Sequence, residues 1–455
     1  MTDAPMPVSL RAPARARAGA IAGIGLHGVL LAGFLVYTFI GTRPFAEASV
    51  AERLDGNPLD RLMVLGLFAL ALLTLMLHWR ASLVMALTNL PLLALTGFCV
   101  VSMLWSDYPG LTMRRALLLV FLTVIAAGIA ASLRDLRRFH TWWFLGLTGV
   151  ILFNLAGTAL WPGTAITDIG VRGLYTQKNV AGLVAMITVI SGATWMLGAR
   201  GARPVLLALL ALLPTLFFLV ITKSKTSIGL TGLALLVIAG MALAEKLGPR
   251  FILLMIGLGL VGLAALLVLF AVHDFDLDLF LTATLGDSSF TGRDELWAFA
   301  WRAAQERFWL GHGYGAFWDV GLAADPLNRL EPGTWLGDVE IGTINQAHNG
   351  YLELWLHIGL PATLVAMLIV IGGAISGIAQ YVSTALSVQA RAAIGFMTLF
   401  LLVFLFHNLT EASLFMRGAI LSNVAVLFLF ALSRSRWLGV AGDGGSTVAA
   451  TRGLR

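Results

Sequence analysis

Only one cysteine, Cys99, occurs in the 455 residues, and it sits inside an apolar run, so no internal disulfide can form and redox compartment cannot be read. Charge is scarce as well. Asp, Glu, Lys and Arg together supply 12% of the chain, against about 25% in an ordinary soluble domain, which excludes a soluble globular protein. No HExxH, CxxC pair, P-loop or GxSxG is present, so zinc hydrolysis, nucleotide hydrolysis and nucleophile-elbow chemistry lack support. Alternating strands of roughly ten residues, the mark of a membrane β-barrel, are missing too. There is no internal repeat, and low complexity is confined to the Gly/Ala-rich C-terminal tail. The formal charge of +6 does not argue for a nucleic-acid partner, because basic residues in a membrane chain mainly report topology.

What fills the sequence is apolar: 58% of the residues are hydrophobic. A membrane-crossing helix needs about 20 mostly apolar residues. Runs of that kind occur near 18–41, 61–78, 84–104, 115–133, 141–160, 180–198, 203–221, 226–244, 251–272, 359–379, 391–407 and 417–433, twelve in all. The basic N-terminal stretch has no convincing cleavage site before its apolar run and reads as a cytoplasmic tail ahead of a retained helix. With that tail inside, Arg80, Arg134, Arg137, Arg138, Arg200, Arg203, Lys246, Arg250, Arg391, Arg434 and Arg436 all fall on the cytoplasmic side. The expected fold is an all-α polytopic transmembrane bundle of about 12 spans with both termini cytoplasmic. Its expected division is 1–17 cytoplasmic tail, 18–272 helices 1–9, 273–348 a large outer loop between spans 9 and 10, 349–435 a re-entry helix and helices 10–12, and 436–455 a second cytoplasmic tail.

The outer loop holds 12 of the 24 acidic residues and five of the 13 tryptophans. Within it, GRDELWAFAWRAAQERFW places Leu296, Phe299, Ala300, Ala303 and Ala304 on one face, predicting an amphipathic helix that Gly311, Gly313 and Gly315 terminate. Cations gather on the outer side against the usual bias: Arg172 and Lys178 in VRGLYTQKNVAG, Lys223 and Lys225 in TKSKTSIG, and Arg293 in TGRDELW. At membrane depth such charges pair or serve a function, and an anionic lipid headgroup suits a planar guanidinium and a compact ammonium. The competing reading is snorkelling to bilayer phosphates or pairing with acids of the long loop.

His348 lies where the outer loop turns into the apolar stretch NGYLELWLHIGLP. A neutral imidazole there suits a general base, and an interfacial bystander is the plain alternative. At helical spacing it shares a face with Tyr351, Leu352 and Trp355, while Glu353 and His357 sit four apart on another face; no acid–histidine dyad is assigned. Asp274, Asp276 and Asp278 read as an acidic surface rather than a metal site. The loop tryptophans suit sugar stacking and interfacial anchoring equally.

The ordered series RGLYTQKN, SKTSIG, TGRDELW…ERFWLGHGYGAF, HNGYLELWLHIGLPA and HNLTEASLF resembles the O-antigen ligase/polymerase superfamily over residues 100–435, and looks most like its exopolysaccharide polymerases. The resemblance implies a metal-independent glycosyltransferase of the GT-C type without cofactor, in the bacterial inner membrane and active on the periplasmic face. Its partners would be an undecaprenyl-diphosphate-linked oligosaccharide, an acceptor saccharide on a lipid-linked repeat unit or on lipid A-core, membrane lipids, and chain-length regulator and export proteins. On the same ground His348 matches the histidine that activates the acceptor hydroxyl, and Arg172 and Arg293 match arginines that hold the diphosphate. Lys225 stands where relatives often carry Arg, keeping the charge and losing the bidentate fork. Lys178 joins the diphosphate set, and Asn349, Tyr351 and Trp297 are expected to position the acceptor sugar. Polymerisation of repeat units is the favoured activity, ligation to lipid A-core the alternative, and transport without catalysis a lesser one.

Overall fold

The computed structural model describes residues 14–46, 56–247, 293–383 and 386–438, with a few single residues between these stretches. Thirteen helices of ten or more residues are described: α1 Ala14–Phe39, α2 Pro58–Leu77, α3 Trp79–Thr88, α4 Leu90–Val101, α5 Pro109–Ala131, α6 Leu136–Leu160, α7 Lys178–Leu197, α8 Ala202–Ile221, α9 Lys225–Leu247, α10 Arg293–Glu306, α11 Gly350–Tyr381, α12 Val388–His407 and α13 Ile420–Leu438. A small antiparallel hairpin, β1 Ile166–Thr167 and β2 Gly170–Val171, lies between α6 and α7.

Local signals explain the helix starts. Asn57 accepts from the Leu59 N–H ahead of Pro58, Asp135 from Arg137 and Arg138, Asn349 from Tyr351 and Leu352, and Ser387 from Ala390. Each satisfies backbone donors that a helix N-terminus leaves open. Layering follows from what each helix can hide. Helices α7, α12 and α13 are buried along most of their length and form the centre. At the rim, α2, α8 and α9 turn Leu62, Met76, Leu213, Val220 and Leu236 outward, an apolar surface that fits hydrocarbon and not water.

Among the described residues eight helices are long and apolar enough to cross a membrane, or nine with one bent pair. The chain is a polytopic helical membrane protein. The expected span over 84–104 falls within that bent pair: the chain breaks at Asn89, and Trp79–Thr88 and Leu90–Leu104 meet at 80°. Pro91 in the first turn of α4 brings no backbone N–H to carry the previous helix onward. The final helix runs to Leu438, past the expected end at 433. The expected span 251–272 lies almost wholly outside the described residues, as do Asp274, Asp276 and Asp278.

Helix α11 is broken at Gly359, whose φ of 80° and ψ of 162° are non-helical. The segment before the break, Gly350–Ile358, is buried almost throughout. The break releases the Leu356 and His357 carbonyls, and the outer loop takes them up: His312 N–H donates to Leu356 O at 2.8 Å and Gly313 N–H to His357 O at 3.0 Å. In return Leu360 N–H donates to Phe308 O at 2.9 Å. This pairing needs backbone against backbone, and a Cβ on Gly311 would stand 2.5 Å from the His357 carbonyl carbon. The expected amphipathic helix is α10, and its buried residues are Leu296, Phe299, Ala300, Ala303 and Ala304.

Small residues let the spans approach. Gly377 of α11 packs against the side chain of Thr398 in α12, with no room for a Cβ. Gly377→Leu is expected to destabilise the purified protein by about 1–3 kcal/mol through overpacking, read as a lower thermal midpoint in detergent.

Candidate active site

Five polar segments meet at one end of the bundle. The turn after the hairpin is tied down by Tyr175, whose hydroxyl donates to Phe39 O at 2.7 Å, and by Asn154, whose Oδ1 accepts from Leu174 N–H at 3.1 Å. Lys178 then opens α7. Ser224 and Lys225 open α9. Arg293 opens α10, His348 ends the outer loop, and residues 408–419 join α12 to α13.

Glu411 stands at their centre. Its loop leaves α12 in a tight turn in which Asn408 Oδ1 accepts from the Ser413 N–H at 2.9 Å. Glu411 Oε1 accepts from Asn179 Nδ2 at 2.8 Å and lies 3.6 Å from Arg293 Nη2. Its other oxygen, Oε2, lies 3.2 Å from His348 Nδ1. Arg293 Nη1 also donates to Thr410 O at 2.8 Å. Behind Asn179, Ser224 Oγ lies 3.3 Å from Asn179 Oδ1 and 3.0 Å from Ser227 Oγ. A continuous polar chain therefore runs from α9 through α7 to Glu411 and on to both ends of the described part of the outer loop, Arg293 and His348.

Burial alone would push the Glu411 carboxyl up. The hydrogen bond from His348, with the charges of His348, His407 and Arg293, outweighs it and holds the group below its ordinary value. A carboxylate kept ionised in this way can accept the Nδ1–H of His348; in the neutral imidazole that leaves the lone pair on Nε2. With a quarter of its side chain exposed, His348 is reachable by a hydroxyl-bearing ligand.

His348 adopts a left-handed backbone, φ 49°, a conformation that costs a residue with a side chain on the order of 1–3 kcal/mol. Its neighbours enforce it. Trp297 Nε1 donates to Ala347 O at 2.9 Å, Ala347 N–H to Glu353 Oε2 at 2.7 Å, and Gly350 N–H to Asn408 O at 2.8 Å. Glu353 is fully buried; it also accepts from Trp318 Nε1 at 3.0 Å, and its Oε1 lies 3.2 Å from His357 Nε2. The histidine paired with Glu353 is thus His357, while Glu411 pairs with His348.

The sequence-derived candidates divide into two groups. His348 and Arg293 share Glu411, and Lys178 and Lys225 lie next in sequence to Asn179 and Ser224 of the same polar chain. Arg172 belongs to the adjoining turn, where Nε donates to Thr164 O at 2.8 Å and Nη1 to Thr176 O at 3.3 Å; Lys178 Nζ reaches Ile169 O at 3.0 Å. Trp297, Asn349 and Tyr351 direct polar atoms at the protein itself: Trp297 at Ala347 O, Asn349 at the first turn of α11, and the Tyr351 hydroxyl at Leu405 O, 2.7 Å away. Sequence reasoning missed Glu411, Asn179 and Ser224. All three fall inside or beside quoted motifs, HNLTEASLF, RGLYTQKN and SKTSIG, and the signal available for Glu411 was a lone acid between two apolar runs. Among the described residues no three His, Cys, Asp or Glu side chains form a metal-binding group.

A family model described as O-Antigen ligase matches residues 206–367. The exopolysaccharide production protein ExoQ of Rhizobium meliloti is 25% identical over 321 residues, covering 68% of this chain and 69% of its own. The O-antigen ligase of Pseudomonas aeruginosa is 30% identical over 346 residues, covering 72% of this chain and 80% of its own. With that extent of identity, and its conjunction with helices gathered around one polar end, the chain belongs to the O-antigen ligase family of membrane proteins in polysaccharide biosynthesis.

Proposed function

We propose that the protein is a glycosyltransferase of the bacterial inner membrane, with twelve spans, both termini cytoplasmic and a GT-C-type organisation, acting on the periplasmic face. Its donor is a saccharide on undecaprenyl diphosphate, and its acceptor is a hydroxyl of a second saccharide. The observation that carries this reading is Glu411, engaged at once by His348, Asn179 and Arg293.

In the proposed step the acceptor hydroxyl gives its proton to His348 Nε2 as its oxygen bonds to the anomeric carbon. The bond from that carbon to the phosphate oxygen breaks, and its electron pair leaves with the lipid diphosphate. Direct displacement inverts the anomeric centre. Glu411 is a positioning residue: it fixes the histidine tautomer and stabilises the imidazolium that forms. Arg172, Lys178, Lys225 and Arg293 supply the positive field for the departing diphosphate, the group on which charge develops. No divalent ion takes part. Trp297, Asn349 and Tyr351 hold the outer loop and the start of α11 so that His348 keeps its strained turn. The outer loop over 273–348, with the re-entry helix that follows, is the acceptor-facing unit of this scheme.

Extension of lipid-linked repeat units is the first reading, because the RGLYTQKN and SKTSIG stretches look like exopolysaccharide polymerases. Transfer of a finished chain to lipid A-core is the second, favoured by the 30% identity to an O-antigen ligase. Transport fits less well, since the polar residues collect at one end of the bundle and not at its middle.

The test is purified protein in lipid with a defined undecaprenyl-diphosphate oligosaccharide, with and without lipid A-core. Longer glycans on the carrier indicate polymerisation, and sugar on lipid A-core indicates ligation. His348→Ala is expected to lower transfer about 10²–10⁴-fold at normal membrane levels; wild-type product from that variant would sink the reading. A chelator is expected to leave the rate unchanged, and restoration of a chelated enzyme by a divalent ion would contradict the mechanism.

Glu411 adds a pH signature. Its folded value is depressed, so its contribution to stability is fully present above the unfolded carboxylate value of about 4.3 and is lost as pH falls through the folded value. The gap in thermal midpoint between the wild-type protein and Glu411→Gln is therefore expected to persist above about pH 5 and to narrow as pH falls below the unfolded carboxylate value of about 4.3.

A further inference from the structure

A cavity of 490 Å³ opens between α2 and α5, away from the Glu411 cluster and unused by the mechanism above. Five guanidinium groups line it: Arg43 before α2, Arg61 in its first turn, Arg114 and Arg115 near the start of α5, and Arg417 from the loop that also carries Glu411. Among the described residues two carboxylates, Glu52 and Asp60, line it with them, so the described wall carries more positive than negative groups. One of these is already matched, with Arg43 Nη1 2.6 Å from Glu52 Oε1.

The arginines form two tiers. Arg61 and Arg114 are exposed at the mouth. Arg115 and Arg417 stand behind them. Arg115 spends its guanidinium on the outer loop, donating to the carbonyls of Gly315, Trp318 and Asp319. Arg417 keeps a buried Nε that has no hydrogen-bond partner among the described residues. Burial lowers the affinity of that guanidinium for its proton, while the charges of Tyr314 and Asp319 work the other way. An arginine that merely snorkels stands alone at a helix end; here two helices and two loops bring theirs to one concave surface.

The rest of the wall is apolar. Leu65, Leu118 and Phe121 continue the cavity along α2 and α5. A charged mouth leading to a greasy wall at the end of membrane helices fits an anionic headgroup carrying a hydrocarbon tail. The inner side of the cavity connects to the proposed active site, because Arg417 and Glu411 share the 408–419 loop.

We propose that this cavity binds the phosphate or diphosphate headgroup of a lipid, with the tail along α2 and α5. Resting on the function proposed above, it would hold the second lipid-borne substrate while the first sits at His348. Two molecules of phosphorylated lipid then occupy the protein together, on either side of a loop in which Glu411 and Arg417 stand six positions apart.

The experiment is native mass spectrometry of the full-length protein with added undecaprenyl diphosphate, which counts bound molecules without turnover. Two molecules are expected on the wild-type protein and on His348→Ala. Arg61→Gln combined with Arg114→Gln is expected to lose one of them, the weaker affinity falling at least tenfold, and the same pair changed to Lys should recover most of it. Both positions are exposed, so the substitutions empty no core. Competition identifies the source: displacement of the arginine-dependent molecule by phosphatidylglycerol assigns the cavity to a bilayer headgroup, and resistance assigns it to the polyprenyl carrier; either supports a phosphorylated-lipid site. Unchanged stoichiometry and affinity in the Gln variant would overturn it, as would equal displacement by inorganic diphosphate, which has no tail. Failure of the catalytic reading appears separately, as transfer by His348→Ala.

Discussion

A buried carboxylate surrounded by donors organises one end of this molecule. Glu411 is nearly sequestered from solvent, and an isolated charge in that position would be costly. It persists because four segments bring it partners: Asn179 from α7, Arg293 from the start of α10, His348 from the end of the outer loop, and through Asn179 the serines of α9. Arg293 and His348 are 55 positions apart in sequence, yet both meet the same side chain. The described part of the outer loop, 293–348, is thereby closed on itself by one carboxylate, and the imidazole is held in direction by the same group.

Position in the bilayer gives this arrangement its meaning. The spans below are sealed by apolar packing, with α7, α12 and α13 almost wholly buried. In the proposed reading, a substrate with an oily tail and a charged, sugar-bearing head would meet both water and hydrocarbon at their polar end. A soluble enzyme would have to build a greasy channel for such a tail; here the membrane itself supplies it.

Much of the fold was legible because apolar run length is a direct consequence of bilayer thickness. The bend at Asn89 was not, since a proline early in a helix is compatible with both a fresh start and a continued span. The face of α10 was readable residue by residue from its period. At the site, charge in unexpected places exposed Arg293, and the junction of polar loop and apolar helix exposed His348. Glu411 escaped because a single acid in a short loop has no period and no local partner; its partners are 63 to 232 positions away. The engagement of Trp297 and Tyr351 with backbone carbonyls was equally hidden, because main-chain acceptors leave no trace in residue identity. The arginine cavity draws on residues 43, 61, 114, 115 and 417, a set that only the packing of α2 on α5 assembles.

The break at Gly359 has a mechanical outcome. Because the carbonyls freed there are held by the backbone of residues 312 and 313, and Phe308 O is held by residue 360 in exchange, that stretch of loop and the first segment of α11 form one rigid body. Such a body cannot swing aside to admit a bulky glycan without exposing unpaired peptide groups at its seam. A conformational change that kept that seam intact would fall on the described irregular stretch around residues 321–344, where three glycines with positive φ and two short 3₁₀ turns interrupt the regular backbone.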